Sequence, residues 1–589
     1  MSNRNILWTQ IFVDELARSG LKTVCIAPGS RSTALALAFA QHGSIKVYSH
    51  LAERSAAFFA LGLALASDEP SAVICTSGSA AANFFPAIVE AHQSQVPLIV
   101  ITSDRPHELR HSGANQTIDQ IKMYGDYTLW SVDVALPEPQ PADLTIRNLR
   151  TLANRAYATA NGIRKGVVHI NMPFRKPLEP IPMAGDMVEV TENARPRANN
   201  QPFARFDRAV ITTPAEQIER IAQRVNQSEK GIIVCGPRSS TNPSFAQAVI
   251  DLSEKTGYPI LADPISGMRF GHAEIIGGYD TFLMPNMQTV DLPSVVIRFG
   301  NVPTSRWLNE YLDQAAAGDY MHVSQSGSWS DDLHRVSEFV QADESRFCQQ
   351  LAEYIERRAD SQWQQNIRML EQQTWATIDE KMAEVDYFDG AVVYDVARLL
   401  PAGSTLFMGN SLPIRHLDQF GAPANQAFHA YANRGASGID GNISTALGAG
   451  AVQPDKPLVL VVGDVTFYHD MNGLLAVQRC GVPVTIVLLN NNGGGIFHRL
   501  PIKDFDPEFT DLFVTPHGLD FHHAARMYGL EYVHAADRSA FQQAFAESVG
   551  QRQSCLIEVR TDAQHDLQQR GRITRAVQES LNALKSTTN

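Results

Sequence analysis

The stretch VVGDVTFYHDMNGLLAVQRCGVPVTIVLLNNNGGGIF, residues 461–497, contains two apolar runs that each end in polar residues and glycine. The first run ends at Gly463-Asp464, and the second ends at residues 490–493, which read NNNG. A helix-sized segment separates them. Two buried strands joined by a helix lie parallel in one sheet, so both turns are expected at the same edge. The stretch therefore predicts a parallel α/β sheet with a polar edge.

This polar edge offers the kind of ligands that magnesium prefers. Asp464 has a carboxylate oxygen, Asn491 an amide oxygen and Gly493 a backbone carbonyl, and three such ligands leave positions for phosphate oxygens. The glycines let the backbone approach a diphosphate closely. Two unrelated turns would contain the same residue types, because Asn and Gly favour turns. The spacing and the shared placement of the two turns favour a metal–diphosphate site.

Short apolar runs alternate with helical stretches along the whole chain. The helical stretches include one that ends at Gly20, then Ser55 to Ala66 and Ala80 to Ala91. The runs that predict buried strands are TVCIAP, AVICTS, PLIVITS, GVVHINMP, GIIVCG, YPILAD, SVVIRFG, YMHVS, STLFMGN, PLVLVVGD, PVTIVLLN and SCLIEV. This alternation predicts an α/β fold with three doubly wound parallel-sheet domains, whose ligands bind beyond the carboxyl ends of the strands.

The 589 residues divide by composition into five segments. We predict an N-terminal domain over 1–185, a Pro-, Asn- and Arg-rich linker over 186–207, and a central α/β domain over 208–355. A connecting helix over 356–387 and a C-terminal domain over 388–589 follow.

Composition indicates the class of protein and its compartment. Hydrophobic residues make up 44% and charged residues 19%, as in folded globular proteins, and the net charge of −13 disfavours nucleic acid and anionic membranes as partners. The six cysteines form no CxxC pair, which indicates free thiols in a reducing compartment. The N-terminus lacks a signal-peptide pattern, and no apolar run approaches the ~18 residues of a membrane span. We expect a soluble, cytoplasmic protein.

Residues 461–497 resemble the motif of thiamine diphosphate-dependent enzymes, in which GD is followed by a helix and then NN. The resemblance implies thiamine diphosphate as cofactor, bound by both domains that flank the central one. It also implies that Asp464, Asn491 and the Gly493 carbonyl hold Mg²⁺, or alternatively Mn²⁺, with Gly463 and Val465 beside the diphosphate. Val465 stands where the family most often has glycine.

The same resemblance assigns residues to the rest of the cofactor. Glu53, in SHLAERSAAFFALGLA, would bind the aminopyrimidine ring and carry out general acid–base work. Taken alone, Glu53 also fits a solvated glutamate at the start of a helix, and Ala52 stands where the family often has aspartate. Ile439 would hold the cofactor in its bent form and Ile496 would also contact it, although any isoleucine is equally suited to plain packing.

Five motifs narrow the resemblance: CIAPGSRST, TSDRPHELRHSGANQ, MGNSLPIR, YANRGASGIDG and NNNGGGIF. Together they are similar to the 2-succinyl-5-enolpyruvyl-6-hydroxy-3-cyclohexene-1-carboxylate (SEPHCHC) synthase family, also called the MenD family. That family decarboxylates 2-oxoglutarate and adds the succinyl carbanion equivalent to isochorismate in a 1,4 sense, giving SEPHCHC and CO₂ in menaquinone biosynthesis. The resemblance is weak in the central domain, where Arg306 replaces a common lysine and receives no role.

Both substrates of that family are dicarboxylates, so an acidic chain must place cations locally. Four arginines follow apolar runs. Guanidinium groups bind carboxylates in two-point geometry. Alternatively, each of these arginines forms a surface salt bridge, which is the usual role of arginine. The resemblance implies two groups of contacts. The contacts to isochorismate are Ser30, Arg31, Arg105, Asn115 and Gln116. The contacts to the 2-oxoglutarate part are Ser411, Arg415 and Arg434. Phe497 and Ile496 would form an apolar wall over the cofactor.

The family places its cofactor between the first domain of one subunit and the third of another, which implies a homodimer or homotetramer. Two competing interpretations remain open. One is an acetolactate synthase-like or decarboxylase-like enzyme, against which the four arginines argue. The other is a binding subunit that has lost catalysis, against which intact Glu53, Asp464 and Asn491 argue. The histidines, including His50 and His107, receive no role.

Overall fold

Three parallel sheets organise the chain, as the alternating runs predict. The computed structural model describes residues 3–187, 189–285, 290–315, 318–358, 361–385 and 387–588. It divides into two compact units. The first comprises Met1–Ala209, Asn433–Asp455 and Tyr468–Pro483, and the second comprises Val210–Ala432, Lys456–Phe467 and Val484–Asn589. The predicted α/β class is confirmed.

The first sheet lies in the first unit and has six parallel strands in the order β2-β1-β3-β4-β6-β5. Its elements are α1 (Arg4–Ser19), β1 (Thr23–Ala27), α2 (Thr33–Gln41), β2 (Lys46–Ser49), α3 (Glu53–Ser67), β3 (Ser71–Cys75), α4 (Ser79–Ala82), α5 (Phe85–Gln93), β4 (Leu98–Asp104), β5 (Trp130–Asp133), α6 (Asp143–Ala160) and β6 (Val167–Pro173).

The second sheet lies in the second unit and has five parallel strands in the order β11-β10-β9-β7-β8. Its elements are α7 (Ala215–Gln227), β7 (Gly231–Cys235), α8 (Phe245–Thr256), β8 (Ile260–Ala262), α9 (Tyr279–Phe282), β9 (Val295–Phe299), α10 (Arg306–Gln314), β10 (Asp319–Val323), β11 (Glu338–Val340), α11 (Glu344–Tyr354) and α12 (Gln362–Glu384).

The third sheet, also in the second unit, has six parallel strands in the order β13-β12-β14-β15-β17-β16. The elements of this part of the chain are α13 (Asp389–Leu399), β12 (Thr405–Met408), α14 (Leu412–Phe420), β13 (His429–Tyr431), α15 (Asn442–Gly450), β14 (Leu458–Gly463), α16 (Asp464–Asp470), α17 (Leu475–Arg479), β15 (Thr485–Asn490), α18 (His522–Tyr528), β16 (Glu531–His534), α19 (Arg538–Gln551), β17 (Cys555–Arg560) and α20 (Ala563–Thr588).

Helix α1 follows its sequence signals closely. The Asn3 side chain accepts a hydrogen bond from the Ile6 amide and caps the first turn. Gly20 ends the helix with a φ of 118°, and its amide donates to the carbonyls of Ala17 and Leu16. The predicted stop at Gly20 is confirmed.

The predicted helical stretch from Ala80 to Ala91 is wrong in one respect. The structure contains two helices there, α4 and α5, separated by Asn83 and Phe84. Pro86 lies in the first turn of α5. A proline has no amide hydrogen and its ring clashes with the preceding turn, so one continuous helix cannot pass through it.

Five strands escaped the sequence analysis, namely β2, β5, β11, β13 and β16. Each of them lies at the edge of its sheet. Their residues are mostly half-buried or exposed, whereas every residue of β3, β4, β6, β7 and β15 is buried. A strand with one solvated face or edge has no continuous apolar run, so these strands lacked the signal used for the others.

The predicted domain limits stay predictions, although two of the segments have recognisable structure. Helix α12 spans 23 residues within the predicted connecting segment 356–387. The predicted linker 186–207 contains one short 3₁₀ turn at Glu192–Ala194. The six cysteines are free thiols, as expected. Among the residues that the structure describes, no helix is long and apolar enough to cross a membrane.

A buried ion pair links the second and third sheets within the second unit. The Arg269 side chain is fully buried, and its guanidinium lies 2.9 Å from the Asp418 carboxylate. The same guanidinium donates to the carbonyls of Ala262 at 2.8 Å and Asp418 at 2.7 Å, and to the Tyr279 hydroxyl at 2.7 Å. A buried charge with this many partners fixes the relative position of the segments that supply them.

We expect Arg269→Leu to lower the free energy of unfolding by about 3–5 kcal/mol, because it leaves the Asp418 carboxylate buried and unpaired. Urea unfolding followed by circular dichroism measures the shift in midpoint. The double variant Arg269→Leu/Asp418→Leu should recover much of the loss. Arg306→Leu is the matched control, because the Arg306 side chain is 76% exposed and that of its partner Glu310 is 40% exposed. This substitution should change the free energy of unfolding by less than about 1 kcal/mol. Equal shifts for the two arginine variants would contradict the prediction.

Candidate active site

Two neighbouring strands of the third sheet end side by side, as the opening stretch predicts. Strands β14 and β15 pair in parallel, with Gly463 opposite Leu489. Helix α16 begins directly at Asp464, and β15 ends at Asn490, directly before residues 491–493. The Asp464 carboxylate and the glycine-rich turn therefore meet at one edge of the sheet.

Hydrogen bonds fix the orientation of the Asp464 carboxylate. One oxygen, Oδ2, accepts from the Gly493 amide at 2.9 Å, and the other, Oδ1, accepts from the Val465 amide at 2.7 Å. The His517 Nε2 atom lies 3.2 Å from Oδ2. Burial raises the pKa of Asp464, and the hydrogen bonds from the Gly493 and Val465 amides act against that rise. The carboxylate is thus held rigidly between the two strand ends.

The turn after β15 has the features of a cation site. The Asn491 amide oxygen is buried and has no hydrogen-bond partner among the described residues. Gly493 has a φ of 139°, and a Cβ atom there would lie 2.1 Å from the Val514 carbonyl oxygen, so only glycine fits. A Cβ on Gly463 would meet nothing within 4 Å, which shows open space beside the strand end. An unpaired buried oxygen next to a carboxylate fits a hard cation such as Mg²⁺.

Ser411 and Arg415 lie at the end of β12, the strand beside β14. Ser411 has a φ of 72°, an uncommon conformation for a residue other than glycine, and it precedes α14. The Arg415 Nη1 atom donates to the Ser411 carbonyl at 2.5 Å. Ile496 and Phe497 lie in the 3₁₀ turn Gly495–Arg499 and are half-buried. The structure therefore places these four residues at the same face of the second unit as Asp464.

In the first unit, Glu53 is the first residue of α3 and is half-buried. Its charge contributes, after burial, to raising the pKa of the Cys75 thiol, so Glu53 lies near the end of β3. Helices α3 and α15 cross in close backbone contact: a Cβ on Gly62 would lie 2.0 Å from the Thr445 carbonyl oxygen, and one on Gly448 would lie 2.1 Å from the Phe59 carbonyl oxygen. Half-buried Ile439 precedes α15 by two residues.

Two of the predicted arginines lie close together in the first unit. Arg31 is 8% exposed, follows β1 and donates to the Phe174 carbonyl at 2.7 Å, while its Nε atom has no partner among the described residues. Arg105 follows β4 and donates to the Ser77 hydroxyl. Burial and then the nearby Arg105 guanidinium lower the pKa of Arg31. Two neighbouring cations, one with a buried donor atom that has no partner among the described residues, are a candidate site for an anion.

The uncharged residues of this group are accessible. Ser30 lies in the 3₁₀ turn Ser30–Ser32 beside Arg31 and is exposed. Asn115 and Gln116 are exposed in the loop that follows Arg105. The Gln116 carbonyl would lie 3.2 Å from a Cβ on Gly78, so this loop packs against the turn after β3.

Sequence analysis missed the residues that hold these loops. Asp104 is fully buried and accepts hydrogen bonds from Asn171 at 2.9 Å and from the Arg105 amide at 2.7 Å. Arg110 lies 3.0 Å from Asp104 and 2.8 Å from Asp133, so it ties the loop to two strands. Both Asp104 and Arg110 stand in the quoted motif TSDRPHELRHSGANQ, which offered a signal for them.

Arg434 lies in a loop that a buried glutamate holds in place. Glu90 is 3% exposed and accepts from the amides of Gly435 and Ala436, both at 2.7 Å, and from the Ser94 hydroxyl at 2.7 Å. Glu90 is the one charged residue in the run FFPAIVEA. This single charge within an apolar run was the only sequence feature that indicated a structural role for it. His517, which lies 3.2 Å from the Asp464 carboxylate, stands in no motif.

The predicted residues fall into two groups, one in each unit. The first unit contains Ser30, Arg31, Glu53, Arg105, Asn115, Gln116, Arg434 and Ile439; the second contains Ser411, Arg415, Gly463, Asp464, Val465, Asn491, Gly493, Ile496 and Phe497.

Three family models match the chain, and all three describe thiamine pyrophosphate enzymes, whose cofactor is also called thiamine diphosphate. The N-terminal TPP binding domain matches residues 8–123, the middle domain of thiamine pyrophosphate enzymes matches 197–408, and the C-terminal TPP binding domain matches 416–559. A solved structure of benzoylformate decarboxylase from Polynucleobacter necessarius has a TM-score of 0.71 over 96% of this chain and 99% of that chain. Its sequence identity of 17% makes this a likeness of fold alone.

Proteins named 2-succinyl-5-enolpyruvyl-6-hydroxy-3-cyclohexene-1-carboxylate synthase match almost the full length. The protein from Roseiflexus castenholzii is 61% identical over 98% of this chain and 99% of its own length. The one from Roseiflexus sp. is 58% identical with the same coverage, and that from Haloarcula marismortui is 44% identical, again covering 98% and 99%. With this identity over the whole length, the chain belongs to the SEPHCHC synthase family of thiamine diphosphate-dependent enzymes.

Proposed function

We propose that this chain uses thiamine diphosphate to decarboxylate 2-oxoglutarate and to add the succinyl group to isochorismate, giving SEPHCHC and CO₂ in menaquinone biosynthesis. Identity of 61% and 58% to synthases of that name, over nearly the whole chain, supports this reaction. The observation that carries the cofactor assignment is the sheet edge where Asp464 binds the Gly493 amide and the Asn491 oxygen lies buried without a partner.

The metal would lie at this edge. Asp464, Asn491 and the Gly493 carbonyl would hold Mg²⁺, with Mn²⁺ as the alternative ion, against the diphosphate. Although both Asp464 oxygens accept an amide hydrogen, each oxygen keeps a further lone pair for a cation. Gly463 and Val465 would border the diphosphate, where the absence of a Gly463 side chain leaves space.

When bound, thiamine diphosphate supplies the stabilisation of the carbanion that follows loss of CO₂. Glu53 would hold and return a proton at the aminopyrimidine ring nitrogen. Glu53 is the first residue of α3 and is half-buried. Ile439 would support the cofactor from the apolar side, and Ile496 and Phe497 would exclude water from it.

The arginines would position the two dicarboxylate substrates. Arg31 and Arg105 would bind isochorismate, since a carboxylate would offset the repulsion between the buried Arg31 and the half-buried Arg105 guanidinium groups. Ser30, Asn115 and Gln116 would add uncharged hydrogen bonds. The part of the substrate derived from 2-oxoglutarate would be bound by Ser411, Arg415 and Arg434.

We also propose the coarser features that the family resemblance implies. The chain would act in the cytoplasm as a homodimer or homotetramer, with each cofactor shared between the first domain of one subunit and the third domain of another. The domain limits would be those predicted from composition: 1–185, 208–355 and 388–589, with the linker 186–207 and the connecting helix 356–387 between them.

The reaction is tested by following isochorismate consumption by ultraviolet absorbance. We expect the isochorismate absorbance to fall only when 2-oxoglutarate, thiamine diphosphate and Mg²⁺ are all present. Omission of any one of them should leave the absorbance unchanged. If isochorismate persists while CO₂ is released from 2-oxoglutarate or pyruvate, the cofactor chemistry holds and the acceptor is wrong.

We expect Glu53→Gln to reduce turnover by about 10²–10⁴-fold, because it removes the group that exchanges a proton with the cofactor. The melting temperature should stay within a few degrees of wild type. Glu69→Gln, a matched loss of charge just beyond the other end of α3, should leave turnover within a few-fold. Near-normal rates for Glu53→Gln would refute the role.

We expect Arg415→Ala to raise the KM for 2-oxoglutarate about 10–100-fold, the usual effect of removing a charge-assisted hydrogen bond. Pyruvate lacks the second carboxylate, so its decarboxylation should change far less. Steady-state CO₂ release with each substrate measures the difference. Arg398→Ala, at a half-exposed arginine paired with Asp379, is the control and should change neither KM. Equal effects of Arg415→Ala on both substrates would remove its carboxylate role.

A further inference from the structure

The turn that follows β3 contacts both loops that carry the residues proposed to bind isochorismate. This β3 turn comprises residues 76–78 and is buried. A Cβ atom on Gly29, in the loop after β1, would lie 2.6 Å from the Thr76 Cβ atom, so that loop packs on the turn. In the loop after β4, the Arg105 guanidinium donates a hydrogen bond to the Ser77 hydroxyl.

The loop after β4 touches the same turn at a second place, Gln116. Gly78 has a φ of 87°, and a Cβ atom on it would lie 3.2 Å from the Gln116 carbonyl oxygen and 3.3 Å from the Gln116 Cγ atom. The absence of a side chain at Gly78 therefore lets the loop approach. A shift of the β3 turn would displace Gln116, Arg105 and the loop that contains Arg31 together.

Gln120 holds the β3 turn in place. Its side chain is buried, with the residue 1% exposed, and the Oε1 atom accepts a hydrogen bond from the Gly78 amide at 2.9 Å. The Nε2 atom donates to the Ser103 carbonyl at 3.1 Å and to the Asn171 Oδ1 atom at 2.9 Å. Ser103 belongs to β4 and Asn171 to β6, so one side chain ties the turn to two central strands.

The hydrogen-bond partners settle which end of each amide group faces which neighbour. The Asn171 NH₂ group donates to the carboxylates of Asp104 at 2.9 Å and Asp133 at 2.8 Å, so its oxygen is the end that faces Gln120. The Gly78 amide can only donate, so it requires the Gln120 oxygen. Both constraints agree, and the Gln120 side chain has a single favourable orientation.

We propose that Gln120 is a positioning residue for isochorismate, which holds the β3 turn so that Arg31, Arg105 and Gln116 reach this substrate together. The inference rests on the proposed function in one respect, the binding of isochorismate by these three residues. Gln120 acts through the β3 turn, because both polar atoms of its side chain are hydrogen-bonded to other parts of the protein.

A purely structural role for Gln120 would lower stability without a preference for one substrate. Asn154 provides the matched control, because it has the same three kinds of bond elsewhere in the first unit. It is 6% exposed, accepts from the Ala204 amide at 2.9 Å, and donates to the Glu15 carboxylate and the Ser19 hydroxyl, both at 2.8 Å. None of these partners belongs to the proposed substrate site.

The experiment measures the Kd for isochorismate by titration calorimetry. The full-length chain is loaded with thiamine diphosphate and Mg²⁺ but receives no 2-oxoglutarate, so that turnover does not consume the ligand. We expect Gln120→Met to raise this Kd about 5–100-fold, because it leaves the Gly78 amide buried without an acceptor. Arg105→Ala is the reference for loss of a direct contact, and Asn154→Leu should stay within about twofold of wild type.

A second measurement separates positioning from a general structural effect. We expect the KM for 2-oxoglutarate, from CO₂ release without isochorismate, to stay within about twofold of wild type in Gln120→Met. An unchanged Kd for isochorismate in Gln120→Met, when Arg105→Ala is impaired, would overturn the proposal. So would an equal loss in both measurements, or a loss of isochorismate binding in Asn154→Leu as large as in Gln120→Met.

If thermal melting shows that Gln120→Met does not fold, Gln120→Glu takes its place. A carboxyl group keeps an acceptor for the Gly78 amide but supplies at most one donor hydrogen, so the bond to Ser103 or to Asn171 is lost. We then expect at least a threefold rise in the Kd for isochorismate with an unchanged KM for 2-oxoglutarate. No rise, or an equal rise in both, would overturn the proposal.

Failure of the proposed function itself looks different. Wild type would then bind no isochorismate, or Arg105→Ala would bind it as tightly as wild type does. Either result would overturn the assignment of the acceptor site, and the positioning role of Gln120 with it.

Discussion

The hydrogen bond from the Gly493 amide to the Asp464 carboxylate holds together the edge on which the rest of the site depends. It joins the ends of β14 and β15 at 2.9 Å and orients the carboxylate before any ion arrives. The turn can make this bond because Gly493 adopts a φ of 139° and carries no Cβ atom that would strike the Val514 carbonyl. A preformed site of this kind spends little binding energy on ordering its own ligands.

The first unit contains the arginines proposed to bind anionic substrates, in a chain with a net charge of −13. Arg31 and Arg105 are brought close enough for burial and mutual repulsion to lower the pKa of Arg31. Such a pair is unfavourable without an anion, so its neighbours must hold it in place. Buried Asp104 provides that support at the end of β4, and Arg110 extends it across the loop to Asp133. The charge around Arg31 and Arg105 is thus locally positive, although the net charge of the whole chain is negative.

The parts that could be predicted from sequence are those with a continuous local pattern. Strands buried on both faces, such as β14 and β15, appear as apolar runs, and the residues proposed to bind the metal directly follow them. Edge strands such as β16 are half solvated and leave no such run. Glu90, which holds the Arg434 loop, could not be found in this way, because it lies 345 residues from Gly435 and a single buried glutamate has no periodicity. His517, which lies 3.2 Å from the Asp464 carboxylate, is a similar case.

The close crossing of α3 and α15 has a consequence for how this protein can vary. Gly62 and Gly448 bring the two backbones into direct contact, so neither position has room even for a methyl group. Glu53 starts one of these helices, and Ile439 lies three residues before the first residue of the other. A larger residue at the crossing would separate the proposed acid–base group from the residue proposed to support the cofactor. Substitutions can therefore accumulate in the surrounding loops, whereas the distance between α3 and α15 stays fixed by the two glycines.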